Sequence, residues 1–132
     1  MDIDEIFRLA TGEIPGPIIV GRVSGNVQRA LGASSRTVLL SRDTLEKQMT
    51  RHGKLTLSGY YDYLPDALEY GEAFRMHDRR VSMILDVRQS RDRRFNVVVK
   101  STTTRHELYA ISLYPLREKD WRRVLRKHNP IP

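Results

Sequence analysis

Three stretches decide the fold class: Arg80-Val-Ser-Met-Ile-Leu-Asp-Val-Arg88, Phe95-Asn-Val-Val-Val-Lys-Ser101 and Glu107-Leu-Tyr-Ala-Ile-Ser-Leu-Tyr-Pro-Leu116. In the first, Val81, Met83, Leu85 and Val87 alternate with Arg80, Ser82, Ile84, Asp86 and Arg88. A repeat of two puts alternate side chains on opposite faces, which is the signature of a strand. The polar runs Gln89–Arg93 and Thr102–Arg105 separate the three stretches and read as turns. Strands joined by such short turns pair antiparallel, so residues 80–116 are expected to form a meander.

The chain before this meander is helical in character. Asp2–Ala10 places Ile3, Ile6, Phe7 and Ala10 on one side of a short helix, and Thr11–Pro17 is turn chemistry. Ile18–Ser24 reads as a strand, Asn26–Leu31 as a helical turn or a loop, and Thr37–Leu40 as a short β-prone run. Ser41-Arg-Asp-Thr-Leu45 opens a helix that Ser41 or Asp43 can cap. Leu45, Met49 and His52 follow at i, i+4 and i+7 on one face, and Gly53 stops the helix. Leu57–Tyr63 and the turn opened by Pro65 continue in helical fashion, with Tyr60, Tyr61 and Tyr63 as core or as a platform for stacked bases. After the meander, Arg117–His128 is an amphipathic helix with Trp121, Val124, Leu125 and His128 on one face and Arg122, Arg123, Arg126 and Lys127 off it. Helices first and strands later argue an α+β fold: N-terminal helices on a twisted antiparallel sheet, closed by a basic C-terminal helix.

The chain has 132 residues, which suits one compact domain, with residues 1–36 as an N-terminal extension to 37–132. It contains no Cys, which excludes a disulfide framework, a Cys-ligated zinc site and a thiol nucleophile. Its apolar runs are far shorter than the ~20 residues of a membrane span. The acidic start, Met-Asp-Ile-Asp-Glu-Ile, is unlike a secretory signal, which opens with positive charge.

Net charge is +7, and it is unevenly placed. Residues 73–132 carry fifteen basic and six acidic side chains, whereas 1–33 and 34–72 are each slightly acidic. A field of one sign on part of a small domain attracts a polyanion, and arginine binds phosphate oxygens in pairs.

Phosphate-binding glycine loops, a His-Glu-x-x-His pair and a Gly-x-Ser-x-Gly elbow are all missing from the sequence. The four histidines, His52, His77, His106 and His128, are scattered, so no metal and no cofactor is expected. The remaining polar residues suit RNA cleavage. RNA supplies its own nucleophile, the 2′-hydroxyl, so a protein needs a base, cations on the phosphate and an acid. His52, between Arg51 and a nearby Lys54, is the candidate base; otherwise it answers the helix dipole or packs on the core. Lys100 lies on the strand face opposite Phe95, Val97 and Val99, either as a phosphate ligand or as a solvated cation. Thr102 and Arg105 can hold phosphate or form a polar turn, and Ser112 needs a partner if it is buried. Arg122 and Arg126 extend the basic surface along the last helix.

The run Val38-Leu-Leu-Ser-Arg-Asp-Thr-Leu-Glu-Lys-Gln-Met-Thr-Arg-His52, the element Tyr61-Asp-Tyr-Leu-Pro65 and the strands Val97–Lys100 and Leu108–Tyr114 occur in an order and spacing that resemble the phage-type barnase–EndoU–colicin–RelE-like nucleases. The resemblance covers residues 37–116. It implies a metal-independent endoribonuclease of toxin or phage type, with tRNA among its candidate substrates. It implies a catalytic role for His52, supporting roles for Lys100 and Ser112, and a nuclease-like domain over 37–132. RNA is then the expected partner, together with an acidic immunity or antitoxin protein. A non-catalytic RNA- or DNA-binding protein of a phage or toxin–antitoxin system is the alternative that the same charge supports.

Overall fold

The computed structural model describes residues 2–52, 59–88, 93–104 and 106–132; the side chain of His52, the expected helix stop at Gly53, Lys54, the start of the expected helix from Leu57, most of the expected turn Gln89–Arg93 and Arg105 lie outside the described residues. Among the described residues the elements are α1 (Ile3–Thr11), β1 (Ile18–Arg22), α2 (Gly25–Leu31), β2 (Thr37–Leu40), α3 (Arg42–His52), a 3₁₀ turn (Tyr61–Tyr63), α4 (Leu64–Tyr70), β3 (Glu72–Arg75), β4 (Arg80–Asp86), β5 (Arg94–Ser101), β6 (Leu108–Leu116), α5 (Glu118–Lys127) and β7 (Pro130–Ile131). The fold is α+β, as the order of periodicities implies.

The strands form one sheet in the order β1-β2-β6-β5-β4-β3-β7. The meander is its centre: β4 pairs with β5 from Arg80↔Lys100 to Asp86↔Arg94, and β5 pairs with β6 from Arg94↔Leu116 to Ser101↔Leu108, all antiparallel. Two features differ from the simple expectation. The pairing of β2 with β6 is parallel, at Val38↔Leu108 and Leu39↔Tyr109. The chain also continues the meander at its other edge through β3 and the two-residue β7, which are too short to announce themselves by alternation.

The first face of the sheet carries the main core. Val81, Met83, Phe95, Val97, Val99 and Leu113 pack there against Leu45 of α3 and Leu64, Ala67 and Leu68 of α4. Ile6 and Leu9 of α1, Val20 of β1 and Val27 of α2 belong to the same buried cluster, and β1 pairs directly with β2. Residues 1–36 therefore contribute to this core and to this sheet. Tyr61 is 1% exposed, and burial pushes its hydroxyl up. Tyr63 stacks on Phe95 at 4.5 Å between ring centroids, and Tyr60 tilts over the same ring at 5.5 Å. The tyrosine cluster thus packs into the core, Tyr61 fully and Tyr60 and Tyr63 half-buried against it.

The second face is covered at one end only. Val124 and Trp121 of α5 pack over Phe74, Ile84 and Leu116, and Leu125, expected on this apolar face, is instead 53% exposed. The rest of that face is open, with α3 alongside it.

What places α3 there is a residue that periodicity does not flag. Strand β2 pairs with β6 only at its start, which leaves the edge of β6 without a neighbouring strand further on. Gln48 takes the place of that neighbour. Its Nε2 donates to the Leu113 carbonyl at 2.6 Å, and the Leu113 N–H donates to its Oε1 at 3.4 Å, at a site only 5% exposed. Replacing Gln48 with Leu strands both backbone groups at a buried edge, each at a cost of about 1–3 kcal/mol. Urea unfolding should show a lower midpoint for this variant; an unchanged midpoint would mean that Leu45 alone fixes the helix.

Candidate nucleic-acid interface

The open face is ordered by the strand register. Across β4, β5 and β6, Arg80, Lys100 and Tyr109 form one row, and Ser82, Val98 and Ser112 form the next. Between these rows the pairing of β5 with β6 slips, at Val98↔Ser112 and Val99↔Ala110, which leaves Ile111 as an extra residue. Such a bulge re-aims neighbouring side chains. Ile111 and Ser112 accordingly both line the open face.

Alongside lies α3. Ser41 caps it, accepting from the Thr44 N–H at 3.2 Å, while the Ser41 hydroxyl donates to Thr44 Oγ1 at 3.1 Å. With Leu45 fully buried and Gln48 held at the strand edge, Thr44, Lys47 and Arg51 face the open sheet. The space between holds two hollows, of about 380 and 540 Å³. Thr44, Lys100 and Ile111 line both, so they are adjoining stretches of one groove.

The groove's chemistry is one-sided. Lys47, Arg51, Arg79, Arg80 and Lys100 line it, with the hydroxyls of Ser41, Thr44, Ser101, Thr102, Thr103, Tyr109, Ser112 and Tyr114. Among the described residues no carboxylate lines it, and none of these five cations forms an ion pair. Outside the groove five arginines are ion-paired: Arg42 with Glu46, Arg93 with Asp86, Arg94 and Arg122 with Glu118, and Arg117 with Asp120. Like charges gathered without counter-charges raise the local positive potential, and an anionic ligand relieves it.

The turns at the groove's end are built for close fit. Asp78 and Arg79 both adopt left-handed backbone, at φ 51° and 55°, in the turn between β3 and β4. Two successive positive φ angles give the tight hairpin turn normally made with glycine or asparagine, so Arg79 is held in a strained position. Its carbonyl accepts from the Ser101 N–H at 3.1 Å, which ties this turn to the end of β5. Thr102 closes the following turn, where its Oγ1 accepts from the Glu107 N–H at 3.0 Å.

Of the residues singled out from the sequence, Arg51, Lys100, Thr102 and Ser112 line the groove together. His52 closes α3 by its backbone, directly after Arg51, and its side chain lies outside the described residues, as does Arg105. Arg122 and Arg126 are exposed on α5 and do not line the groove; Arg122 is 3.7 Å from Glu118. Sequence reading missed Lys47, Arg79 and Arg80. The spacing of Lys47 and Arg51 at i, i+4 was the available signal for the first. For the other two it was the paired arginines opening the β4 alternation.

Among the described residues, no three His, Asp or Glu side chains come together in a way that holds a metal ion, and no helix is long and apolar enough to cross a membrane. A separate hollow of about 600 Å³ lies at the β3–β7 edge, lined by Leu68, Phe74, Leu125, Ile131 and the carboxylates of Glu69 and Glu72. Its apolar and acidic wall is unsuited to a polyanion. Comparison with protein-family models, with curated proteins and with solved structures finds no match to this chain.

Proposed function

We propose that the protein is a metal-independent endoribonuclease that holds single-stranded RNA in the groove between α3 and the β4–β5–β6 face. The observation that carries this reading is the convergence of five unpaired cations on one groove free of carboxylates among the described residues. Phosphates spaced along a strand are the ligand that a row of such cations fits.

In the proposed reaction the 2′-oxygen of the bound RNA attacks the adjacent phosphorus, and the bond to the 5′-oxygen of the next nucleotide breaks. His52, at the end of α3, takes the 2′-hydroxyl proton as general base or returns one to the leaving 5′-oxygen. Lys100 and Arg51 neutralise the phosphate as negative charge builds on it, and the Ser112 hydroxyl orients it. The products are a 2′,3′-cyclic phosphate and a free 5′-hydroxyl. Such an activity harms any cell whose RNA it reaches, so an acidic inhibitor protein that covers the basic groove belongs to the same proposal.

Incubation of the purified protein with total RNA in EDTA tests it. Discrete fragments are expected; intact RNA that is nonetheless bound would reduce the protein to a binding module. Binding itself should fall with salt. With three to five phosphates engaged, log K against log salt should slope at about −2 to −3.5, from roughly −0.7 for each single-strand contact. A slope near zero would remove the electrostatic basis of the groove.

A further inference from the structure

The smaller hollow of the groove, about 380 Å³, has a chemistry unlike that of a bare phosphate track. Ile111 and the side chain of Tyr109 give it apolar surface, while hydroxyls of Thr44, Thr102 and Thr103 add polar points. Its volume falls in the ~300–1,000 Å³ range of small-ligand sites.

The hydroxyls are not equivalent donors and acceptors. Each has one proton and two lone pairs. Thr44 Oγ1 already accepts from Ser41, and Thr102 Oγ1 already accepts from the Glu107 N–H, at 3.1 and 3.0 Å. Each of these threonines has therefore used one of its two lone pairs inside the protein and keeps its proton to donate. Arg79 and Lys100, on the same wall, can only donate. No Asp, Glu, Asn or Gln lines the hollow among the described residues, so its strong acceptors are few.

We infer that this hollow is a base subsite that takes one unstacked, carbonyl-bearing nucleobase, uracil or guanine, in preference to cytosine or adenine. The inference rests on the proposed RNA reading and adds to it a specificity that phosphate contacts do not provide. Uracil O4 and guanine O6 are acceptors that a donor-rich wall satisfies. At the corresponding positions cytosine and adenine carry amino groups, to which the donor-only Arg79 and Lys100 have nothing to offer. The apolar side chains of Ile111 and Tyr109 cover the ring, as single-stranded recognition requires. Lys100 borders both hollows, so a base seated in one has its own phosphate at the other.

Competition by nucleoside 3′-monophosphates against a fluorescent single-stranded oligoribonucleotide, made uncleavable by 2′-O-methylation, tests this, with ribose 5-phosphate as the baseless probe. The wild-type chain should bind the uridine and guanosine nucleotides about tenfold more tightly than the cytidine and adenosine ones. Thr44→Val and Thr103→Val, each shown to be folded by its thermal transition, should shrink that ratio to within about twofold by deleting a donor. Four nucleotides that compete equally, or none that outcompetes ribose 5-phosphate, would overturn the base subsite while leaving RNA binding in place. A protein that does not bind the oligoribonucleotide at all would overturn the RNA reading and the subsite with it.

Discussion

His52→Ala is expected to slow RNA cleavage by about 100- to 10,000-fold, the usual contribution of a positioned general acid or base. Fold and RNA affinity should stay close to those of the parent. The expectation follows from how α3 is anchored. Leu45 is fully buried in the main core, and Gln48 is bonded twice to the edge of β6, so the helix cannot shift along the sheet. Arg51 lines the groove, and His52 is the next and last residue of the helix. Imidazole titrates near neutrality, at roughly pH 6.5 when unperturbed, which suits proton transfer. Rates should be measured by quenched-fluorescence cleavage of an oligoribonucleotide, with affinity measured separately. Full activity in the variant would move proton transfer to His106, exposed in the turn that also carries Thr102, or to His128. An unfolded variant would instead make His52 a core residue.

Arg51→Ala combined with Lys100→Ala should weaken RNA binding on the order of 100-fold or more at low salt. Hydrogen bonds to charged groups contribute about 1.5–3 kcal/mol each, and the two cations line the groove from different elements, one on α3 and one on β5. Arg122→Ala combined with Arg126→Ala removes the same formal charge from exposed positions on α5. There Arg122 is already partnered by Glu118, so a loss of no more than a few-fold is expected. Equal losses from the two pairs would mean that net charge alone, and not the groove, captures the nucleic acid.

The contrast between these pairs shows where sequence reading reached its limit. The three central strands were legible because their alternation runs over seven to nine residues, and the helix of Arg42–His52 because Ser41 caps it. That Lys100 faces away from the core followed from the same alternation. Long-range register did not. Nothing local to Thr37–Leu40 specifies that it pairs in parallel with Leu108 and Tyr109, and that pairing is what frees the β6 edge for Gln48. Arg79 and Arg80 read as two more cations in a basic half. They enter the groove because a left-handed turn and the pairing of Arg80 with Lys100 bring them there. Basic residues on α5 looked equally apt in sequence, but that helix covers Phe74 and Ile84 rather than bordering the groove.

Cleavage by the 2′-oxygen is tested most directly with one oligoribonucleotide and its all-2′-deoxy counterpart, both in EDTA. The ribo strand should be cut, leaving a 2′,3′-cyclic phosphate and a free 5′-hydroxyl, while the deoxy strand binds the groove and stays whole. Cutting of the deoxy strand at a comparable rate, or ribo products bearing 5′-phosphates, would contradict the mechanism.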